Sequence, residues 1–200
     1  MSLPTLSNHR SKVAICFSFC LALGLTSRSA DAHRTQRLEA GDVIVNATTI
    51  RGSSDAGLKA QALIDASPER IWAVIADCDR YEQTFDRVVS AKLISRRGAY
   101  HVCEIVYDMP FPYDDLRSRS RAKHRENGRS YSRSWDLLEG DYKHYRGSWK
   151  IAPYDKDPSR TLVTYDVHIV PDISVPGWLE RKVRERGPVQ MMERLRQEVR

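Results

Sequence analysis

The richest chemistry in this sequence lies in residues 116–125. Arg117, Arg119, Arg121, Lys123 and Arg125 alternate there with Leu116, Ser118, Ser120, Ala122 and His124. Side chains of a β-strand point to opposite faces in turn. One face of such a strand is therefore cationic, and the other is built largely of small residues. Five like charges cannot be buried without partners, so the cationic face must be wet and the small face must point inward. Protein interiors are close-packed. A small inward stripe argues for the wall of a cavity, with a core filled by large neighbours as the alternative. The cationic stripe itself has three fates: cross-strand pairing with acids such as Asp136 and Glu104, a solvated face, or docking on an anionic membrane surface. Nucleic acid is not an expected partner, because no recognition helix or stacking motif accompanies the stripe.

Neighbouring runs supply further walls. Tyr145, Trp149 and Ile151 share one face of a strand, as do Val163, Tyr165, Val167 and Ile169 of the next. Inward Tyr and Trp bring apolar area with a polar tip that needs a partner. The tips either bond to one another or meet the polar end of a ligand. Met192 and Leu195, on a closing helix, face them. The expected ligand-binding set is thus Ser118, Ser120, Ala122, Tyr145, Trp149, Tyr165, Val167, Met192 and Leu195, around a hydrophobic small-molecule ligand.

Catalytic constellations are sparse. His101, His124, His144 and His168 lie on strands, His168 facing outward with Asp166. Glu104, Tyr107, Asp108 and Tyr165 are the other acid or base candidates. There is no nucleophile elbow, HExxH, phosphate loop or dinucleotide fingerprint, so the catalytic residues are unknown. Cys78 and Cys103 form no CxxC and no metal-ligand cluster, and neither metal nor cofactor is expected. Spacing leaves open whether the two cysteines pair or stay buried thiols.

The elements that must hold these residues follow from local signals. VIVNATTI, within 41–50, is β-rich, and 58–66 alternates as a strand. Ser67-Pro68-Glu69 starts a helix with Ile71, Trp72, Ile75 and Cys78 at helical spacing. A second short helix covers 81–85. Strands follow at 88–95, 100–109, 116–125, 130–138, 142–151 and 161–170, with Glu126-Asn127-Gly128 as a hairpin turn. Pro153 ends one strand, and 155–159 reads as a turn. Ser174 can cap the last helix, which Gly187-Pro188 should kink or split. Pro188, Met192, Leu195 and Val199 form its stripe. Helices gathered on one face of an antiparallel sheet give an α+β fold.

Composition bounds the rest. The 200 residues are 41% hydrophobic and 29% charged, which is globular composition and argues against a disordered chain. Arg10 and Lys12, the apolar run Val13 to Leu25, and Ala30-Asp31-Ala32 together read as a signal peptide over 1–32. Thirteen helical residues reach about 20 Å, short of a membrane core. The formal charge of +6 falls to +4 without that segment, too mild to argue for nucleic acid. The reading is a secreted or periplasmic protein with a polar, mobile leader at 33–40, a leader and first strand over 33–56, and one binding domain over 57–200.

That domain resembles the START-like (SRPBCC) superfamily, above all its polyketide cyclase/dehydrase and coenzyme-Q-binding branch. The carriers are ALIDASPERIWAVIADCDRYEQTFDRV (62–88), DMPFP (108–112), RGSWKIAPY (146–154), TLVTYDVHIVPD (161–172) and PGWLERKV (176–183). The resemblance implies a helix-grip fold, with a curved antiparallel sheet of about seven strands around a long C-terminal helix. It also implies a lipid, quinone, sterol or polyketide-like ligand between the two. Some relatives are cyclases, so an enzyme acting in the same cavity is the alternative to a carrier. The family shares no catalytic motif, and no catalytic residue transfers. Tyr81-Glu82 stands where many relatives have Tyr-Pro, which puts that turn in doubt.

Overall fold

The computed structural model describes residues 22–50, 56–155 and 157–200, with side chains from residue 30 onward. Two compact units divide the chain, 1–36 and 37–200. Residues 22–36 of the first unit are helical, within α1 (Ala22–Glu39). The basic and apolar parts of the expected signal peptide lie mostly outside the described residues. No helix among those residues is long and apolar enough to cross a membrane.

The second unit is a curved, fully antiparallel eight-stranded sheet with helices on its inner side. Its elements are β1 (Ile44–Thr49), β2 (Ala56–Ile64), α2 (Pro68–Ile75), a 3-10 turn (Cys78–Arg80), α3 (Tyr81–Thr84), β3 (Val88–Arg97), β4 (Tyr100–Tyr107), β5 (Leu116–Asn127), β6 (Ser130–Gly140), β7 (Tyr142–Tyr154), β8 (Asp157–Pro171) and α4 (Gly177–Glu198). Strand order is β1-β2-β8-β7-β6-β5-β4-β3. This is the expected α+β helix-grip architecture, with eight strands instead of about seven. The extra edge strand, β1, pairs with β2 from Ile44 opposite Gln61 to Thr49 opposite Ala56.

The leader expected to be mobile is helical over 33–39. Its Leu38 is buried with Ile44 and Leu63, and Tyr154 and Leu162 pack against the three. Leu63 sits on the face of β2 opposite to Ala60, Ala62 and Ile64, which join the main core. This small second cluster holds the extra strand and the end of α1 in place.

Local chemistry sets α2 as expected. Ser67 Oγ accepts a hydrogen bond from the Arg70 amide at 3.3 Å, and Pro68 occupies the first turn, where its missing N–H costs nothing. Ile71, Trp72, Val74 and Ile75 are buried. Pro153 does not end β7, and β8 begins within the expected turn. Pro153 pairs with Thr161 and Tyr154 with Asp157, and Asp155, just past the end of β7, has left-handed backbone at φ 47°.

α4 runs unbroken through Pro188, without the expected split, and begins after Pro176, with no side-chain cap from Ser174. Pro188, Met192, Leu195 and Val199 are buried, as the stripe requires. Polar anchors fix this half of the helix. The Arg196 guanidinium donates to Leu63 O at 2.9 and 3.2 Å, Arg80 pairs with Glu198 at 2.5 Å, and Arg194 pairs with Asp86 at 2.8 Å. The first half, by contrast, exposes Trp178 and Val183.

Candidate functional site

Strand alternation puts Ser118, Ser120, Ala122 and His124 on the inner side of β5, and all four are buried. Tyr145 and Trp149 of β7, Tyr165 and Val167 of β8, and Met192 and Leu195 of α4 are buried too. All nine residues expected to bind ligand therefore lie inside the second unit. The apolar ones among them belong to one cluster. The aromatic tips meet one another in part: the Tyr107 and Tyr145 hydroxyls hydrogen-bond at 2.7 Å, and the Trp149 and Tyr165 ring centroids are 4.5 Å apart. On β7 the inner face is filled, because Gly147 lies opposite Trp135 and the Trp135 ring occupies the space a side chain there would need.

An open cleft of about 610 Å³ lies beside this set and is lined by none of the nine. Its walls are Trp72, Ala76 and Asp77 at α2, Arg96, Gly98 and Ala99 at the β3–β4 turn, and His101, His124 and Glu126 on β4 and β5. The inner stripe of β5 leads into it: His124 is the next inward residue after Ala122 and forms part of the cleft wall. The Trp72 indole N–H donates to Glu126 at 3.0 Å, and its ring packs edge-on against His124 at 4.9 Å. The His101 and His124 rings are 4.0 Å apart. Neither His101 Nδ1 nor His124 Nε2, both buried, has a hydrogen-bond partner.

Directly opposite His124, on β6, stands Arg133, which is 3% exposed. Its Nη1 donates to Ile75 O at 3.1 Å and to the Tyr81 hydroxyl, and its Nη2 to Cys103 Sγ at 3.2 Å. The guanidinium carbon lies 5.1 Å from the Tyr81 ring centroid. Arg133 Nε and the Trp135 indole N–H, both buried, have no partner. The expected site set omits Arg133 and Trp135. Their signal was the face they share: an arginine between Tyr131 and Trp135 at period two cannot point to water unless both aromatics do.

Charge neighbours and burial set the protonation states. His124 is held down to about 3, by burial first and then by the charges of Arg133, His101 and Arg96. His101 is lowered by burial and by Arg96 and Arg133. Both imidazoles are neutral at pH 7, and His124 is a poor base. Burial raises Tyr107 and Tyr165. Glu104 is on the outer face, where Arg117 and Arg119 bond it at 3.0 and 2.7 Å and hold its carboxyl below the usual range. Glu139 takes the same two arginines at 3.2 and 2.9 Å. Cross-strand pairing thus accounts for the first two cations of the stripe. Asp108 is half-exposed beside Arg87, and His168, on the outer side of β8, stacks on His144 at 5.0 Å. Cys78 and Cys103 are free, buried thiols. Among the described residues, no three His, Cys, Asp or Glu side chains gather as a metal site.

A buried neutral histidine makes stability pH-dependent. The unfolded chain takes up a proton near His124's ordinary value of about 6.5, whereas the folded chain does so only near 3. Its contribution is therefore complete above about 6.5 and drains away as the pH falls from there through 3, each unit being worth about 1.4 kcal/mol. His124→Gln should unfold less steeply with acid. Chemical melts at pH 7 and 4.5 check this, and equal losses in both proteins would refute the assignment.

The family model for polyketide cyclase/dehydrase and lipid transport proteins matches residues 64–196. Among solved structures, a STAR-related lipid transfer protein from Xanthomonas axonopodis superposes with a TM-score of 0.67 at 16% identity, covering 78% of this chain and 93% of its own. Human StAR-related lipid transfer protein 5 gives 0.65 at 11%, covering 88% and 97%. The Zhui aromatase/cyclase from Streptomyces gives 0.57 at 20%, covering 72% and 92%. No curated protein matches significantly in sequence.

Proposed function

Since this chain belongs to the polyketide cyclase/dehydrase and lipid transport family, we propose that it carries a hydrophobic small molecule, of lipid, quinone or polyketide type, between its sheet and C-terminal helix. One observation carries the reading. The small inner stripe Ser118-Ser120-Ala122 is buried throughout and runs along β5 to His124 in the wall of the cleft, and side chains this small would leave room beside them for an apolar ligand. Such a ligand gains about 25 cal/mol per Å² of apolar surface buried, and a few polar groups orient it. A cyclase-type enzyme is the second reading. It is disfavoured because proton transfer at neutral pH needs a base poised near 7, and the cleft imidazoles are held below that. The test is native mass spectrometry of protein purified without detergent. A co-purified hydrophobic compound supports the carrier, and an apo protein that also binds no apolar dye rejects it.

Export to the cell envelope belongs to the same proposal. It is supported by Arg10 and Lys12, the apolar run 13–25 and Ala30-Asp31-Ala32. The mature chain is expected to begin near His33 and to keep Leu38, the α1 residue buried with Ile44 and Leu63. N-terminal sequencing of exported protein checks this, and retention of Val13 to Leu25 would refute it.

Contact with an anionic membrane is proposed for one end of the sheet. Phe111 lies in the β4–β5 loop there and is 97% exposed, and Trp178, in the first turn of α4, is 65% exposed. Arg181, Lys182, Arg184 and Arg186 follow Trp178. Apolar side chains flanked by cations suit an anionic interface. Trp178→Ala should weaken sedimentation with phosphatidylglycerol vesicles by about 2 kcal/mol, the worth of roughly 80 Å² of apolar area. Unchanged sedimentation would exclude this end as the contact.

A further inference from the structure

The interior holds a cation with no carboxylate among its hydrogen-bond partners. Arg133 is 3% exposed, and its partners are a backbone carbonyl, a phenol and a thiol. None is a carboxylate. An ion taken out of water costs several kcal/mol unless opposite charge and full hydrogen bonding offset it. The Tyr81 phenol stays protonated, because burial raises it. Cys103 is lowered by its hydrogen bond with Cys78 and then by Arg133's charge, against burial, but a sulfur is a weak acceptor. Arg133 Nε has no partner at all.

Its neighbours repeat the pattern. His124 stands opposite it in register, with His101 4.0 Å beyond, ring to ring, and each imidazole keeps a buried nitrogen unused. Arg96 adds a further cation to the cleft wall. The same wall carries two carboxylates: Glu126 accepts from Trp72, and Asp77 accepts from the Asp79 amide. Further in, along β5, the inner face turns to Ala122, Ser120 and Ser118, and Trp135 lies opposite Ala122. A ligand lying along β5 would therefore meet Arg133 and the unpartnered imidazole nitrogens where the strand reaches the cleft, and small or aromatic side chains further in.

We infer that the ligand is an amphipathic acid: an apolar body bearing a carboxylate that rests on the guanidinium of Arg133, beside His124 and His101. This rests on the hydrophobic-ligand reading and names the chemistry of its polar end. A carboxylate matches a planar guanidinium better than a hydroxyl does. It would also supply the missing counter-charge and an acceptor for Nε.

Titration calorimetry with dodecanoate, dodecan-1-ol and acetate at pH 7.5 tests the assignment. Dodecanoate should bind at least tenfold more tightly than dodecan-1-ol, and acetate far more weakly than either. In Arg133→Met the ratio of acid to alcohol should fall toward one, whereas Arg133→Lys should keep part of it. Equal affinity for acid and alcohol in the unaltered protein overturns this assignment alone and leaves the hydrophobic carrier standing. Acetate binding as tightly as dodecanoate overturns it in favour of a simple anion site. Failure of both long-chain probes overturns both readings. The comparison in the unaltered protein decides even if Arg133→Met does not fold.

Discussion

Trp72→Ala should lower the free energy of unfolding by about 3–5 kcal/mol, the range for truncating a large core aromatic. Trp72 is 8% exposed although it sits on a helix of only eight residues. A helix that short has no stability of its own, so α2 depends on the face it buries, and Trp72 is the largest group on that face. Its ring stacks on Tyr131 at 5.4 Å and meets His124 edge-on at 4.9 Å, while its N–H reaches Glu126 at 3.0 Å. Alanine would remove all three contacts and leave a hole that β5 and β6, held in the sheet by ladders on both sides, cannot close. Trp72→Phe keeps an aromatic ring against Tyr131 but loses the hydrogen bond and part of the buried ring, so its cost should be smaller, about 1–2 kcal/mol. Urea melts followed by circular dichroism give both numbers. A loss under about 1 kcal/mol for alanine would show that α2 is not held by this face.

What the sequence made legible is what local rules determine. The start of α2 follows from Ser67 and Pro68 alone, and the two faces of β5 follow from an alternation that no other period fits. The family resemblance joined these pieces into a helix-grip fold. Three features escaped because distant residues decide them. Leu38 reads as part of a polar leader until Leu63, far along the chain, supplies the apolar face it packs on. Pro153 reads as a strand terminator, yet β7 and β8 are paired over so many residues that the ladder continues past it. Arg133 shares its face with Tyr131 and Trp135, a local sign that it points inward, but the Ile75 carbonyl and Tyr81 hydroxyl that hold it come from distant helices. That the expected residues of β7 and β8 point inward was legible through period two, as on β5, and that Met192 and Leu195 do so was legible through helical spacing. The cleft was not, because it joins the end of α2 to a turn and two strand ends.

Ser120→Phe should weaken binding of a hydrophobic probe at least tenfold, the equivalent of about 1.4 kcal/mol, while costing less than that in stability. Ser120 is 2% exposed and stands between Cys103 on β4 and Leu137 on β6. Its inward neighbours along β5, Ser118 and Ala122, are no larger. If this stripe borders a ligand space, a phenyl ring enters that space and displaces the probe without forcing its surroundings apart. If the stripe is close-packed, the same ring overpacks the core and costs about 1–3 kcal/mol. Gly147→Ala serves as the filled-core control on the same inner face. Its new methyl would lie 2.5 Å from both the Asp166 carbonyl and the Trp135 ring, so it must overpack. A Ser120→Phe protein that melts like the unaltered one but loses the probe, beside a destabilised Gly147→Ala protein, marks β5 as the cavity wall and β7 as packed core. Two proteins equally destabilised with probe binding intact would mean that β5 is packed as tightly as β7. The ligand space would then have to be sought in the cleft beside Trp72.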